Sequence, residues 1–291
     1  MSEASRAERI RAYHQRTKHH LNRYAAGPAN LDWDAQPDAF RHWLGTRHYA
    51  LARNAASLTT PWNELGTPRP AVPFDVENLG NLLQLTSAIT AWKQYGASRW
   101  ALRAHPSSGN LHPTETWVIA YWVDGLADGL YHYQSREHRL EWRASSLTAS
   151  ETPGLWLGFS SIHWREAWKY GERALRYCQL DMGHVLAALA YASVLFGWQP
   201  RLVNLDHDTA SHCLGLDRAE EFAGVEPEEA ELARQLRARE ARVPGLAVLR
   251  EHVAQVRPRL DALELTGRED RVRDRGTLRV LTLWRGAPSA Y

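Results

Sequence analysis

This chain of 291 residues has two cysteines, two methionines, five phenylalanines and only three lysines. Each shortage excludes something. Cys178 and Cys213 are too few for a disulfide framework and stand in no metal-ligand spacing, so each reads as a buried thiol. Of the 14 histidines, His19 and His20 are adjacent and His207 and His212 are five apart, yet no His-Glu-x-x-His or Cys-x-x-Cys pattern occurs. No metal site is expected. Gly-x-Gly-x-x-Gly and Walker-type loops are missing, which excludes a Rossmann dinucleotide site and a P-loop. Charge of either sign is not in excess: the net charge of +2 gives no reason to expect nucleic acid or a membrane surface as partner. Met1–Arg11 is charged and has no apolar signal region. The longest apolar stretch, Val185–Phe196, is too short to span a bilayer. A cytoplasmic protein is expected.

The lysine shortage has chemical content. The 35 basic residues are 32 Arg plus Lys18, Lys93 and Lys169. Arg keeps its proton at working pH, whereas Lys releases one when its surroundings favour the amine. A position that needs a titratable amine cannot drift to Arg, so each lysine is a candidate for chemistry. Thirteen Trp are present, to fill core and interface or to line a flat aromatic ligand. A hydrophobic content of 44% with 23% charged residues is that of an ordinary globular protein. The length suits one large domain or two small ones with ample core.

Hydrophobic periodicity predicts mixed α and β structure. Helical character runs over Arg6–Tyr24, then a Gly/Pro/Asp/Trp-rich connector over Ala25–Arg41. Leu58–Pro73 is a Pro-rich loop. Asn78–Tyr95 reads as a helix on Leu79, Leu82, Leu83, Leu85, Ile89 and Trp92. A strand is expected at Thr116–Val123, and a hairpin from Leu130–Tyr133 and Arg139–Trp142 around Gln134–His138. Gly154–Phe159 is ambiguous. Glu172–Phe196 is the longest helix signal, stopped at Gly197. Its Ala187, Ala188, Ala190, Ala192 and Ser193 permit close packing, as in a central buried helix. Arg201–Leu205 reads as a short strand, Ala210–Gly215 and Pro227–Arg242 as helices, and Thr277–Trp284 as a last strand. Arg268–Arg275 is a charged approach to it.

The densest chemistry lies in Arg103-Ala-His-Pro-Ser-Ser-Gly-Asn-Leu-His-Pro-Thr-Glu115. Ser107, Ser108 and Asn110 offer donors and acceptors, Gly109 permits close backbone approach, and Pro106 and Pro113 stiffen the two ends. The composition suits the edge of a planar polar ligand. It also suits an ordinary turn before a strand.

This loop resembles the flavin-contacting loop of the nitroreductase-like superfamily, in particular of the SagB/ThcOx-type dehydrogenases (azoline oxidases), where an Arg followed by Pro-Ser-Ser-Gly-Asn-Leu-His-Pro-Thr-Glu recurs. A second block, Trp168-Lys-Tyr-Gly-Glu-Arg-Ala-Leu-Arg-Tyr177 running into Asp181-Met-Gly-His184, is similar to that type's Lys-Tyr pair before a Gly-x-Arg…Arg-Tyr helix. A third, Tyr13-His-Gln-Arg-Thr-Lys-His-His20, resembles its common beginning. Leu31–Phe40, Gly129–Tyr133 and Leu214–Arg218 resemble further family segments that carry no assigned chemistry.

The resemblance implies an α+β nitroreductase-like sandwich, with a mostly antiparallel sheet flanked by helices and a long central helix. It implies an FMN-dependent oxidoreductase that dehydrogenates a small organic or peptide-derived substrate. Lys169 is then the catalytic base and Tyr170 its partner, since dehydrogenation needs a hydride acceptor and a base for the departing proton. Arg103, Pro106, Ser107, Ser108, Gly109 and Asn110 hold the isoalloxazine ring, and Arg16, Thr17 and Lys18 hold the phosphate. Read from residue type alone, Lys169 equally suits a surface position and Arg16–Lys18 a solvated helix end. Beyond about Glu226 the resemblance fades, and relatives of this type continue into a longer C-terminal half. The expected organisation is one domain over 1–255 and a charged extension over 256–291, with a homodimer partner completing the flavin pocket. The alternative is a flavin-free scaffold or binding subunit of the same fold.

Overall fold

The run from Thr114 to Tyr121 is the spine of the molecule. In the computed structural model, which describes residues 3–146, 153–203, 205–222, 228–238, 263–265 and 281–284, every residue of this strand is buried. Chain order gives α1 (Glu3–Thr17), β1 (His48–Ala50), α2 (Val76–Thr86), β2 (Ile89–Tyr95), β3 (Ser98–Arg103), β4 (Thr114–Tyr121), β5 (Gly129–Gln134), β6 (Arg139–Ser146), β7 (Gly154–Ser161), α3 (His163–Tyr170), α4 (Ala174–Leu195), β8 (Trp198–Leu202), α5 (His207–Cys213), β9 (Glu229–Ala238), β10 (Leu263–Leu265) and β11 (Leu281–Trp284). Strand β4 pairs with β5 and β7. The ladder continues from β5 to β6, which also takes β1 and β10. On the other side β7 pairs with β9 and β11, and β9 with β8. All of these pairings are antiparallel; β9 and β11 run parallel to each other. The expected mostly antiparallel sheet flanked by helices is what the chain forms.

Alternation along β4 divides the core into two layers. Trp117 faces one side, where its ring meets Trp43 at 6.1 Å. Thr116 faces the other, where its hydroxyl reaches Ser87 at the end of α2 (3.3 Å). Helix α2 begins at Asp75, whose carboxylate caps the Asn78 N–H at 2.7 Å. Its Leu79, Leu82 and Leu83 recur at helical spacing and are fully buried, worth roughly 1.5–3 kcal/mol each in transfer from water. Helix α4 buries Cys178, Met182, Val185, Leu189 and Ala192 along one stripe and stops before Gly197, whose φ of +64° and contact with the Pro70 carbonyl admit no side chain. The central helix is therefore where periodicity placed it. The run His163–Leu195 is the one described stretch long and apolar enough to cross a membrane by length and mean hydropathy, 1.2. Gly171, at φ +55° and ψ −129°, breaks it into α3 and α4.

Two expectations fail. The helix expected over Asn78–Tyr95 ends at Thr86, and residues 89–95 form β2, paired with β3 across a turn at Gly96. β-Branched Ile89 and Thr90 with aromatic Trp92 and Tyr95 prefer extended backbone once a partner strand is available. The helix expected over Pro227–Arg242 is instead strand β9. Its Glu, Ala, Leu and Arg favour helix locally, but three neighbouring strands claim its backbone hydrogen bonds. Smaller shifts occur elsewhere: α1 covers Glu3–Thr17, the ambiguous Gly154–Phe159 lies in β7, and the hairpin is β5–β6. The Arg268–Arg275 stretch and the expected boundary after residue 255 lie outside the described residues.

Candidate functional site

The turn at Ser108–Asn110 is built from inside. Ser107 and Ser108 aim their hydroxyls at Asp181 of α4, at 2.7 and 2.8 Å, and the Ser108 N–H donates to the same carboxylate at 2.9 Å. The Ser107 hydroxyl oxygen also accepts the His112 N–H at 2.8 Å. The Asn110 amide donates to the Ala101 carbonyl at 2.9 Å. Burial holds the His112 imidazole low, at about 2, so its ring is neutral; its Nε2 lies 3.1 Å from the Asn110 side-chain oxygen. Gly109, Asn110 and His112 all have positive φ. Arg103 is buried and donates to the carbonyls of Thr114 (3.0 Å) and Ala39 (2.6 Å). The groups expected to face a ligand thus shape the loop first. Pro106 and Gly109 remain exposed at its rim.

Lys169 and Tyr170, at the end of α3, lie against that rim. The Lys169 Nζ is 3.5 Å from the Gly109 carbonyl oxygen. A Cβ on Gly109 would stand 2.6 Å from the Tyr170 hydroxyl and 3.0 Å from the Lys169 side chain. Gly109 is thus required by backbone conformation and by room. Both side chains are partly exposed. Burial pushes the Tyr170 phenol up, and the nearby Glu166 carboxyl adds to that.

The third block joins the same region. The Tyr13 hydroxyl donates to the Glu172 carbonyl (2.9 Å) and accepts the Arg176 N–H (3.1 Å). Arg16 pairs with Glu172, and Thr17, buried, receives Arg176 at 2.9 Å. Lys18 is partly exposed beside them. Arg173 lies 5.4 Å from the Tyr170 ring and 2.7 Å from His19. The connector packs here too: Trp33 meets Trp168 edge-on at 5.3 Å, and the Trp168 indole donates to the Asp32 carbonyl. Segments far apart in sequence therefore converge on the α3–α4 junction: the turn, the Lys-Tyr pair and a basic cluster.

Behind the turn is a buried charge network. Arg165 donates to the His112 carbonyl and to Glu115, at 2.7 and 2.5 Å. His132 bridges Glu115 and Glu141 at 3.1 and 3.0 Å. Burial opposes charge on all three, but the contacts prevail: His132 rises to about 9, and Glu115 and Glu141 are held below the usual carboxylate range. Asp181, Glu166 and Arg165 are the residues that the sequence reading did not single out as site residues. Asp181 and Glu166 stand in or beside the Lys-Tyr block, which is the signal that could have marked them.

Lys18, Arg16, Arg173 and Arg176 gather positive charge near the α3–α4 junction, where Arg16 pairs with Glu172 and Arg176 donates to Thr17, and Gly109 with Lys169 and Tyr170 forms a separate rim; these are the groups that would hold a phosphorylated planar cofactor. A cavity of about 290 Å³ lies at the far end of α4, lined by Leu65, Arg69, Val194 and Trp198 among others.

No protein-family model matches the chain. The trifolitoxin-processing protein TfxB of Rhizobium leguminosarum bv. trifolii is 32% identical over 35% of this chain and 32% of its own length. The solved structure of a candidate nitroreductase from Anabaena variabilis superposes with a TM-score of 0.59 at 24% identity, covering 78% of this chain and 46% of that one. A chain of the E. coli microcin synthetase McbBCD complex, solved with truncated pro-MccB17 bound, aligns more distantly, with a TM-score of 0.43 at 15% identity over 81% of this chain and 82% of that one. The match spans less than half the length of TfxB and of the Anabaena protein. By its sheet order, its central helix and the superposition on the Anabaena structure, the chain has the nitroreductase-like fold.

Proposed function

We propose that this chain is an FMN-dependent oxidoreductase of the SagB/ThcOx type, a dehydrogenase of a small organic or peptide-derived substrate. The contact of Lys169 and Tyr170 with Gly109 carries the reading. It brings an amine and a phenol to the open rim of the turn from about 60 positions away in sequence. TfxB is by name a trifolitoxin-processing protein, and a processing role is what we extend to this chain.

FMN, when bound, supplies a two-electron acceptor for hydride. Arg16, Thr17 and Lys18, with Arg173 and Arg176 beside them, hold its phosphate, and the Arg103–Asn110 segment bounds its ring. Lys169 takes the departing proton on Nζ, and the Tyr170 hydroxyl orients the substrate or relays that proton. A second copy of the chain completes the pocket as a homodimer, in the cytoplasm. The domain 1–255 carries the site and 256–291 is an extension.

An absorbance spectrum of the protein as purified, and again after excess FMN and desalting, tests the reading. A retained yellow chromophore is expected; a colourless protein at excess FMN defeats it. The internal use of Ser107, Ser108 and Arg103 favours a second reading, a flavin-free scaffold or binding subunit. Light scattering in the same preparation separates them, because a colourless monomer that captures a peptide supports the scaffold.

A further inference from the structure

Glu166 is a buried acid close to the Lys-Tyr pair. It sits in α3 with no exposed surface, and neither of its carboxyl oxygens has a hydrogen-bond partner among the described residues. An acid sealed in this way destabilises the fold, and packing alone would be served by a leucine. Its position is specific. It lies three residues before Lys169 and four before Tyr170, on their side of α3. Across from it on α4 is Asp181, whose carboxylate holds the Ser107–Ser108 turn. Among the described residues, the charged and titratable groups that bear on the two acids are Lys169 and Tyr170 from α3 and His184 from α4, and the turn presents the Ser107 and Ser108 hydroxyls and the Ser108 N–H.

We propose that Glu166 is a positioning residue that acts through Asp181: while its carboxyl keeps its proton, Asp181 sits beside it and clamps the turn, and when that proton is lost the two anions repel and the turn is released. Burial, reinforced by Asp181 and opposed by Lys169, raises the carboxyl to about 9, so the clamped state is that of neutral pH. Burial raises Asp181 as well, and the Ser107 and Ser108 donors, which favour its anion, offset that only in part. The two acids share one electrostatic site and divide the roles, one un-ionised and one accepting hydrogen bonds.

Where the released turn is taken to loosen FMN, the inference rests on the function proposed above; the clamp itself does not. Two readouts need no flavin. An infrared carbonyl band of an un-ionised carboxyl is expected at neutral pH and is absent in Glu166→Gln. Exchange of the Ser108 N–H is then followed from neutral pH to about pH 10. Wild type should lose about tenfold more protection than the intrinsic base-catalysed rise, while Glu166→Gln and Glu166→Met follow the intrinsic rise alone. No such band in wild type, or the same extra loss in either neutral variant, overturns the proposal. If neither variant folds, a wild-type band that fails to bleach near pH 9 also overturns it. With FMN present, affinity should fall in step with Ser108 protection. A protein that binds no FMN at any pH defeats the functional reading and leaves the exchange result to judge the clamp.

Discussion

The side chain of Lys169 lies across the backbone of Gly109, with its Nζ 3.5 Å from the Gly109 carbonyl oxygen. Two segments of little regularity are locked together there, and the tolerance of the contact is small. Gly109→Ala should cost about 1–3 kcal/mol, because φ is +61° and the new methyl meets the Tyr170 hydroxyl at 2.6 Å. Thermal unfolding should show it, and added FMN should be retained less well. Unchanged melting would mean that the pair moves aside freely.

Lys169→Ala should abolish turnover on any substrate found while sparing flavin retention, since the amine is assigned to the proton and not to the cofactor. Turnover that survives the substitution removes Lys169 from its role. Tyr170→Phe, which keeps the ring, tests the hydroxyl separately.

Asp181 closes the turn from below with the carboxylate that both serines and the Ser108 amide share. Asp181→Ala leaves those partly buried donors without that acceptor and should cost about 1–2 kcal/mol, measured by urea unfolding. Asp181→Asn keeps one acceptor oxygen and should cost less. Equal losses would deny the carboxylate its clamp.

Tyr13 ties α1 to the start of α4 through two hydrogen bonds of its hydroxyl. Tyr13→Phe should weaken that attachment by about 1 kcal/mol and speed proteolytic removal of α1. If Arg16, Thr17 and Lys18 hold a phosphate, FMN affinity falls with it.

The His132 network makes stability depend on pH in a known direction. The His132 value is about 9 when folded, above its ordinary range, so its stabilisation is full below the unfolded value and is lost as pH rises through about 9. Glu115 and Glu141 are depressed, so theirs is present above the ordinary carboxylate range and is lost as pH falls. Unfolding free energy should therefore decline from neutral pH to about pH 10, and His132→Gln should remove part of that decline, Glu166, raised to about 9, supplying the rest up to that pH. A parallel curve in the variant would place the alkaline loss elsewhere.

Much of this was legible in the chain itself. The Leu79–Leu83 spacing and the stripe of α4 marked the helices, because burial of one face repeats at helical period whatever the partner is. The turn residues were marked by type, and Gly109 does stand at a positive φ in contact with Lys169. Less legible was how those residues are spent. Ser107, Ser108 and Arg103 carry hydrogen-bonding groups that suit a ligand, yet Asp181, Thr114 and Ala39 engage them first, and those partners were invisible before the helices docked.

Local chemistry determined the central helix and the glycine-centred turn, since these follow from side-chain spacing and backbone freedom. Tertiary structure alone decided that residues 229–238 are a strand, that α1 lands on the α3–α4 junction and that Glu166 faces Asp181. The reason is the same in each case: hydrogen bonds between distant strands, and charges buried across a helix interface, depend on neighbours that no stretch of sequence contains.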